Sequence, residues 1–504
     1  MVSPTIGVER LTAITQWAEA NHQRLFLGEV GVDQQPISLQ ALDNMLTYIK
    51  QHTDVWSGVT YWAGGPWWGP YMFSIEPQNV NDPNNYGDKP QMGVLEKHLA
   101  GPAGDYNGTP GVDSFSTTGD LLHTYGNDGN DQLSLAGNQN LLSGGDGNDA
   151  LSVDGTGNDL YGDAGDDSLT ALGGFNRLFG GTGNDAYFVD NTGNGVIESV
   201  GGGIDTVYAT AHSRLADNVE NLVLQDSADW QAYGNGGSNA IYGNAGNNLV
   251  DGGAGVDGMY GLAGNDVYFV DNPGDAVIEN PGDGNDTVFS TAHFRLSADV
   301  EYLVLQGSAD LQGYGNNLGN LIYGNSGNNL LDGAGGADGM VGGAGNDVYV
   351  VDHPGDVVVE NPNEGNDTVF STAHYRLSAN VENLVLQGSS DLQGYGNGDG
   401  NVLYGNGGIN LLDGGGGADV LAGNAGNDAF MFQRGEADGD IIVDFAGNGA
   451  SAGDVLLFVG YGPGATFTQN DATQWQVNYD GGSSHEVIVF LNGASVDTND
   501  VVFL

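Results

Sequence analysis

Most of the chain follows a nine-residue pattern of hydrophobic and polar positions. From residue 126 to residue 188 it reads, without a gap, GNDGNDQLS, LAGNQNLLS, GGDGNDALS, VDGTGNDLY, GDAGDDSLT, ALGGFNRLF and GGTGNDAYF. The glycine-rich half of each nonamer predicts a corner, because glycine readily takes positive φ. The other half predicts a three-residue strand whose central large apolar side chain faces the core. Two nonamers then make one 18-residue coil, and successive coils stack as parallel strands.

A second repeat, with an 81-residue period, is superimposed on the first. The Asn-Asp pairs that begin at Asn184, Asn265, Asn346 and Asn427 are separated by this period. Each unit contains four nonamers, then Asp-Thr-Val, and then Val-Glu-Asn/Tyr-Leu-Val-Leu. Long-period repetition of this kind is typical of solenoids, in which each repeat buries its apolar face against the next.

Position six of the nonamer holds an acid or an amide, and in the first block the two types alternate. The acids are Asp131, Asp149, Asp167 and Asp185. The amides between them are Asn140, Asn158 and Asn176. An 18-residue coil therefore places the acids on one edge and the amides on the other. Two carboxylates and the corner carbonyls make an oxygen cage suited to Ca²⁺, so we expect Ca²⁺ along one edge and a neutral asparagine ladder along the other.

In the later blocks two asparagines precede two aspartates. These aspartates are Asp257, Asp266, Asp338, Asp347, Asp419 and Asp428. Their carboxylate partners must lie beyond the nonamers. Asp275 and Asp356 follow Asp257 and Asp338 at the 18-residue spacing of a coil, whereas Asp286 and Asp367 follow Asp266 and Asp347 at a 20-residue spacing. The longer spacing predicts a two-residue bulge in that coil.

Isolated Asx residues often do no more than stabilise turns, but nineteen in-register nonamers favour metal binding. The repeats resemble the RTX (repeats-in-toxin, haemolysin-type) calcium-binding family over about four-fifths of the chain. The resemblance implies a parallel β-roll that holds several Ca²⁺ ions. His212, His293 and His374 recur once per unit in Ala-His-x-Arg-Leu. They could suggest a metal site or a pH switch, yet their 81-residue period favours a structural role.

Charge and glycine divide the chain near residue 100. The whole chain has 504 residues, 88 Gly, no Cys and a formal charge of −55. Residues 1–100 carry a net −5 and nine of the glycines, whereas the rest carries −50 and has no Lys. Such a charge argues against a partner that is nucleic acid or an anionic membrane. The lack of Cys excludes disulfides and thiolate metal sites.

Residues 438–504 alternate apolar and polar positions, which predicts short antiparallel strands. By the RTX resemblance, this tail implies an uncleaved export signal read by type I secretion machinery. The chain shows no N-terminal signal-peptide pattern and no apolar stretch long enough to span a membrane. We therefore expect an extracellular, secreted protein, with a linker at 101–125, repeats at 126–437 and a secretion domain at 438–504.

The first hundred residues have a different pattern, in which helices and strands alternate. Helices are predicted over 8–20, 39–51 and 91–99, and strands over 24–30 and 55–62. Leu11, Ile14 and Trp17 are expected on one face of the first helix. Alternation of this kind implies a parallel sheet.

Two features of this region carry candidate chemistry. Glu29 ends the first strand in Leu-Phe-Leu-Gly-Glu-Val-Gly, and Trp62, Trp67 and Trp68 follow the second. These residues resemble the last quarter of glycoside hydrolase family 5, the cellulase-like (β/α)₈ retaining enzymes, over about one-fifth of the chain. The resemblance implies that Glu29 is the nucleophile and that Trp62 is a sugar platform. Trp67 and Trp68 are candidate substrate-binding residues or local loop packing.

Retaining hydrolysis needs a second carboxyl group about 5–5.5 Å from the nucleophile. In this family it belongs to an Asn-Glu motif on the fourth strand. The resemblance covers only later strands, and the other early acids, Glu9, Glu19, Glu76 and Glu96, fit no such place. Two hypotheses remain open. In one, a longer form hydrolyses β-glucan; in the other, the fragment is vestigial and the repeats serve a non-enzymatic surface or matrix protein. The expected fold is mostly β, with parallel β-roll solenoid blocks and a C-terminal β-rich domain, preceded by a partial (β/α)₈ barrel fragment.

Overall fold

The computed structural model describes residues 3–21, 23, 25–30, 35–52, 55–61, 105–447 and 452–504. The chain divides into two compact units. The first unit comprises Met1–Gly108, Phe115–Tyr125 and Leu135–Leu141, and the second comprises Thr109–Ser114, Gly126–Ser134 and Leu142–Leu504. The helix predicted over 91–99 lies outside the described residues.

The first unit opens with alternating helices and strands, as the sequence predicts. In chain order they are α1 Ile6–Asn21, β1 Leu25–Val30, α2 Pro36–Gln51 and β2 Trp56–Tyr61. The two strands pair in parallel, with Leu25 opposite Trp56 and Leu27 opposite Val59. The parallel sheet expected for this region is therefore confirmed.

The buried face of α1 differs from the predicted one. Leu11 and Ala18 are buried, but Ile14 and Trp17 are 46% and 55% exposed. Thr15 lies on the buried face, where its Oγ1 accepts a 3.0 Å hydrogen bond from Nε1 of Trp56. The prediction for Ile14 and Trp17 is wrong because it counted only apolar residues. A buried threonine with a satisfied hydroxyl moves the core stripe to positions i, i+4 and i+7.

The rest of the described chain is built almost entirely of short strands. The first twelve are β3 Tyr106–Asn107, β4 Ser114–Thr118, β5 His123–Asp128, β6 Gln132–Ala136, β7 Leu141–Asp146, β8 Ala150–Asp154, β9 Asp159–Ala164, β10 Ser168–Leu172, β11 Arg177–Thr182, β12 Ala186–Val189, β13 Gly195–Ile197 and β14 Thr206–Ala209. Residues 105–125, assigned to a linker from the sequence, thus contain β3, β4 and the start of β5.

Each 81-residue unit then contributes nine strands. The first nine are β15 Ser213–Arg214, β16 Asn221–Leu224, β17 Gln231–Tyr233, β18 Ala240–Tyr242, β19 Leu249–Asp251, β20 Gly258–Tyr260, β21 Val267–Val270, β22 Ala276–Ile278 and β23 Thr287–Ser290. The next nine are β24 Phe294–Arg295, β25 Tyr302–Leu305, β26 Gln312–Tyr314, β27 Leu321–Tyr323, β28 Leu330–Asp332, β29 Gly339–Val341, β30 Val348–Val351, β31 Val357–Val359 and β32 Thr368–Ser371.

The remaining strands complete the last repeat and the C-terminal region. They are β33 Tyr375–Arg376, β34 Asn383–Leu386, β35 Gln393–Tyr395, β36 Val402–Tyr404, β37 Leu411–Asp413, β38 Val420–Ala422, β39 Ala429–Gln433, β40 Ile441–Ile442, β41 Val455–Val459, β42 Thr466–Gln469, β43 Gln474–Tyr479, β44 Ser484–Phe490 and β45 Val501–Phe503. A short 3₁₀ turn, Asp480–Gly482, separates β43 from β44.

Successive strands of the second unit alternate between two faces of a parallel solenoid. Even-numbered strands β8–β22 pair with one another, and so do odd-numbered strands β15–β31. An odd number of strands per unit means that equivalent strands of successive units lie in opposite sheets. β15 is odd and β24 is even, although they occupy equivalent positions in successive units. The parallel β-roll predicted from the nonamers is confirmed.

The central residue of each strand forms the core, as the nonamer pattern predicts. One column, in register from strand to strand, is at most 3% exposed and runs through Leu151, Leu169, Tyr187, Val207, Leu222, Ile241, Met259 and Val277. Burying one such aliphatic side chain contributes about 1.5–3 kcal/mol. Burial of this column stabilises the fold and offsets the electrostatic repulsion between the acidic residues along the edges.

The 20-residue coils keep their strand register. Val267 of β21 lies opposite Thr287 of β23, and the pairing continues without a break. The two extra residues lie in the corner between β22 and β23, which starts at Glu279. The predicted bulge is thus a lengthened corner.

The C-terminal region combines two arrangements. β42, β43 and β44 form the antiparallel strands expected from the alternating pattern. By contrast, β40 pairs in parallel with β38, β41 with β39 and β45 with β41. The antiparallel prediction is wrong for these three strands because they extend the solenoid. Among the described residues, no helix is both long and apolar enough to cross a membrane.

Candidate metal centre

The aspartates of the first roll form a hydrogen-bonded ladder along one edge of the solenoid. The backbone N–H of Asp149 donates to Oδ1 of Asp167 at 2.7 Å, and that of Asp167 donates to Oδ1 of Asp185 at 2.8 Å. The N–H of Asp131 donates in the same way to Asp149 at 2.7 Å. All four predicted acids of this roll therefore lie together, one coil apart.

The second carboxylate oxygen of each ladder aspartate is buried and has no hydrogen-bond partner. This holds for Oδ2 of Asp131, Asp149, Asp167 and Asp185, residues that are each 2% exposed. A Cβ built on Gly162 would lie closer than 3.0 Å to Oδ2 of Asp167 and to the carbonyl oxygen of Gly180. Glycine is needed there because any side chain would fill the space where the two oxygens converge.

The asparagine edge of the same roll is built differently. The backbone N–H and Nδ2 of Asn158 both donate to Oδ1 of Asn176, at 2.9 and 3.0 Å. Those of Asn176 both donate to Oδ1 of Asn194, at 3.1 Å each. Asn176 therefore accepts from Asn158 and donates to Asn194, so its amide is satisfied within the ladder. The Asn140 side chain joins it by accepting from the N–H of Leu122 at 2.8 Å.

The later units form the carboxylate pairs predicted from the 18- and 20-residue spacings. The N–H of Asp257 donates to Oδ1 of Asp275 at 3.0 Å, and that of Asp266 donates to Asp286 at 2.7 Å. The next unit repeats these contacts, as Asp338 with Asp356 and Asp347 with Asp367, at 3.0 and 2.8 Å. Buried Oδ2 atoms without a partner belong to Asp257, Asp266, Asp286, Asp338, Asp347 and Asp367.

Asp275 and Asp356 differ from the other predicted ligands. Oδ2 of Asp275 accepts a hydrogen bond from the N–H of Asn272, and that of Asp356 accepts from the N–H groups of Asp352 and His353. Both carboxylates therefore cap their own corner and end the ladder.

The last repeat pairs with acids that the nonamer pattern does not reach. The N–H of Asp419 donates to Oδ1 of Asp440 at 2.9 Å, and that of Asp428 donates to Oδ1 of Asp454 at 2.8 Å. Their sequence separations, 21 and 26, are not multiples of nine, so the nonamer count misses both. Oδ2 of Asp419 and of Asp428 is again buried without a partner.

Three groups of three acids, related by the 81-residue period, were also missed from the sequence. In each group one oxygen per residue lies within 4.8 Å of the others; the groups are Asp185, Glu198 and Asp205; Asp266, Glu279 and Asp286; and Asp347, Glu360 and Asp367. The signal was available, since a glutamate follows an apolar strand once in every unit. It falls outside the nonamers, at the start of the lengthened corner.

Burial raises the pKa of several ladder acids. Burial, together with the carboxylates of Asp185 and Asp149, raises the pKa of Asp167 to about 7, against the opposing effect of its backbone hydrogen bond. Burial likewise raises the pKa of Asp266 to about 7 and that of Glu279 to about 8, with neighbouring carboxylates adding to the shift. Negative charge on these edges is therefore unfavourable unless a cation accompanies it.

The once-per-unit histidines take part in backbone hydrogen bonds. Nδ1 of His212 accepts from the N–H of Gln231 at 3.0 Å, and the same contact recurs at His293 and His374. This arrangement fits the structural role expected from their period.

The glycosidase-like candidates are only partly within the described chain. Glu29 is the penultimate residue of β1, Leu25–Val30, but its side chain lies outside the described part. Trp62, Trp67 and Trp68 also lie outside the described residues.

The residues of the acidic edges fit a calcium ion on three counts. They offer buried carboxylate oxygens without partners, glycine cradles that a Cβ would fill, and carbonyl oxygens that converge on the same space. Carboxylate and carbonyl oxygens are the donor set that Ca²⁺ prefers. Bound there, Ca²⁺ supplies positive charge that no Lys or Arg provides along the described ladder.

Comparison with known proteins finds similarity for both the repeats and the N-terminal region. The RTX calcium-binding nonapeptide repeat family matches four stretches, residues 161–191, 233–268, 314–349 and 395–430. Over 98 residues the chain is 41% identical to the probable endo-β-1,4-glucanase B of Aspergillus niger and 36% identical to endoglucanase 3 of Humicola insolens. The match covers 19% of this chain in both cases, and 28% and 24% of those proteins.

A solved endo-β-1,4-glucanase structure from Xanthomonas axonopodis pv. citri is 42% identical over 19% of this chain and 29% of its own, with a TM-score of 0.18. The chain therefore spans less than a third of the length of these relatives. The protein carries RTX calcium-binding nonapeptide repeats, folded as a parallel β-solenoid, together with an N-terminal region homologous to cellulase-like endoglucanases.

Proposed function

We propose that the protein is a secreted calcium-binding protein whose repeat tract folds when it binds several Ca²⁺ ions outside the cell. The observation that carries this proposal is the row of buried Oδ2 atoms without partners, which recurs in the first roll and in each later block of nonamers. An ionised carboxylate held in this way is strongly unfavourable unless a cation or a proton compensates it. Residues 101–504 have a net charge of −50 and no Lys, so the compensating charge comes from solution.

Secretion would couple folding of the repeats to the Ca²⁺ concentration outside the cell. Extracellular modules bind Ca²⁺ with dissociation constants of roughly 10⁻⁴–10⁻³ M. At low Ca²⁺ the crowded acids repel one another and oppose compaction, which suits a chain that is exported unfolded. At millimolar Ca²⁺ binding and folding proceed together. The absence of Cys agrees with this route through type I secretion machinery.

Isothermal titration of the full chain with Ca²⁺ tests the proposal. We expect several ions per chain, with binding abolished by excess chelator. Mg²⁺ at the same concentration serves as the control, since it demands a smaller octahedral site. A Ca²⁺ concentration of 10 mM is roughly ten times the weakest dissociation constant of extracellular modules. If the chain binds no Ca²⁺ at that concentration, the proposal is wrong.

The similarity to endo-β-1,4-glucanases supports a second candidate function, hydrolysis of β-glucan by a longer form of the protein. In that form Glu29 would be the nucleophile and Trp62, Trp67 and Trp68 would bind the sugar. The alternative is a non-enzymatic surface or matrix protein with a vestigial glycosidase region.

Two measurements separate these candidates. The first is the intact mass of the native secreted protein: 52.1 kDa favours the non-enzymatic form, and a mass about 25 kDa greater, roughly the rest of a typical barrel, favours the enzyme. The second is reducing-sugar release from soluble β-1,4-glucan by that native form. Glu29→Gln should abolish this release, and activity that survives the substitution would contradict the nucleophile assignment.

A further inference from the structure

The lengthened corner of each unit returns a glutamate to the aspartate ladder. In the unit that contains β21–β23, Glu279 lies with Asp266 and Asp286, one oxygen of each within 4.8 Å of the others. Glu360 lies in the same way with Asp347 and Asp367, at the equivalent positions of the next unit. No other group of three acids within the described residues, apart from the one around Glu198, meets this distance.

Burial and missing partners show that these triads are built as sites. Glu279 is 8% exposed, and Asp266 and Asp286 are at most 1% exposed. Oδ2 of both aspartates and Oε2 of Glu279 are buried and have no hydrogen-bond partner. The Glu360 triad has the same three orphaned oxygens, and Glu360 is 6% exposed. Three buried acids without a counter-charge are far less favourable than two.

A buried tyrosine positions each glutamate. The Tyr268 hydroxyl donates to Oε1 of Glu279, and the Tyr349 hydroxyl donates to Oε1 of Glu360. This hydrogen bond holds the side chain toward the ladder and leaves Oε2 for a ligand. Tyr268 is fully buried in β21, where it lies opposite Val250 and Val288 of the neighbouring strands. The glutamate is therefore pre-oriented by the fold.

A glycine leaves the space in which the oxygens meet. A Cβ on Gly261 would lie closer than 3.0 Å to Oδ2 of Asp266 and to Oε1 of Glu279. Gly342 faces Asp347 and Glu360 in the same way. The Glu279 and Glu360 triads thus have the same arrangement, so each substitution can be made in both.

We propose that the Glu279 and Glu360 triads are a separate, tighter class of calcium sites, one per 81-residue unit, in which the glutamate supplies a third carboxylate. The inference rests on the proposed calcium binding by the ladder and adds to it a residue outside the nonamers. Affinity for Ca²⁺ rises with the number of charged ligands and with site rigidity. These sites therefore fill first and organise the unit around the lengthened corner, before the two-aspartate rungs.

The triad around Glu198 is a weaker version within the same chain. Its Oε2 accepts a hydrogen bond from the N–H of Ser199 at 3.1 Å, and Glu198 is not fully buried. We expect it to titrate with the two-aspartate sites. The tight class then contains two ions per chain.

The test is a calcium titration of the full chain by calorimetry, with circular dichroism at saturating Ca²⁺ as the folding check. The variant is Glu279→Gln combined with Glu360→Gln. Its matched control is Asp226→Asn with Asp391→Asn, two exposed acids outside the triads whose Oδ1 atoms accept backbone hydrogen bonds. Both pairs of substitutions remove two negative charges.

We expect the wild type and the control to show two tight ions, and the glutamine variant to bind these two at least about tenfold more weakly. The weaker class and the calcium-induced β-structure should remain. A glutamine variant that titrates like the control overturns the inference while leaving ladder binding intact. Absence of all calcium binding by the wild type would instead overturn the proposed function.

A second variant covers failure of the glutamine form to fold. Glu279→Asp with Glu360→Asp keeps the charge but withdraws the oxygen by one methylene group. We expect the two tight ions to weaken here as well. Wild-type affinity in this variant would show that charge alone suffices and would overturn the assignment of the glutamate as a ligand.

Discussion

The backbone N–H of Asp266 donates a 2.7 Å hydrogen bond to Oδ1 of Asp286, twenty residues further along the chain. This contact uses one oxygen of Asp286 to join two coils and leaves the other buried without a partner. The same arrangement links Asp149 to Asp167 in the first roll. In these two pairs one carboxylate oxygen joins two coils, and the other is the oxygen that the proposed calcium binding would use.

The glycine cradles can be tested by adding one methyl group. Gly162→Ala places a Cβ against Oδ2 of Asp167 and the carbonyl oxygen of Gly180. We expect it to lose about 1–3 kcal/mol in the free energy of unfolding, because backbone and carboxylate must move apart. Urea unfolding at fixed millimolar Ca²⁺ measures this loss.

The matched control is Gly195→Ala in β13, where an added Cβ meets nothing within 4 Å. We expect a change of no more than about 0.5 kcal/mol there. Equal stability of Gly162→Ala and Gly195→Ala would show that the cradle at Asp167 is not constrained.

The first roll should bind metal along one edge only. The Asp149–Asp167–Asp185 edge has orphaned oxygens, whereas the Asn158–Asn176 edge satisfies its own amides. In crystals grown with Ca²⁺ or Tb³⁺, we expect anomalous density beside the aspartates and none beside the asparagines. Equal occupancy on both edges of residues 126–188 would contradict this assignment.

In chelator, acid should partly replace calcium. Burial raises the pKa of Asp167 and Asp266 from 3.8 to about 7, and that of Asp149 and Asp257 to about 6. The folded form therefore binds more protons than the unfolded chain between about pH 4 and 7. Its stability without metal is greatest below pH 4 and is lost as the pH rises through 6 to 7.

We expect the metal-free chain to gain β-structure when the pH is lowered from 8 to 4.5, as measured by circular dichroism, with sedimentation velocity to exclude aggregation near the pI of about 4.1. With calcium the dependence reverses, because bound Ca²⁺ needs ionised carboxylates. A metal-free chain that gains structure as the pH rises would contradict the burial of these acids.

The features that follow from the repeat spacing could be predicted from the sequence. The nonamer placed Leu151 and Leu169 in the core, and the 18- and 20-residue spacings paired Asp257 with Asp275 and Asp266 with Asp286. Strand period and coil length are local properties, so a periodic pattern is sufficient to reveal them.

Features that depend on corner geometry could not be predicted from the repeat spacing. Glu279 lies beside the ladder at the start of the corner that is two residues longer. Asp440 and Asp454 join the ladder after irregular sequence separations of 21 and 26. Asp275 has the expected spacing, but the hydrogen bond it accepts from Asn272 shows that it caps a turn. In α1, Thr15 is buried because its hydroxyl meets Trp56, a contact 41 residues away.

The most direct measurement is far-UV circular dichroism of the full chain, first in excess chelator and then after restoring millimolar Ca²⁺. We expect residues 101–504, which have a net charge of −50, to be mostly unfolded in chelator. Adding Ca²⁺ should give a large gain of β-structure that more chelator reverses. A chain that shows full β-structure in chelator at pH 7.5 and does not respond to Ca²⁺ would contradict calcium-coupled folding.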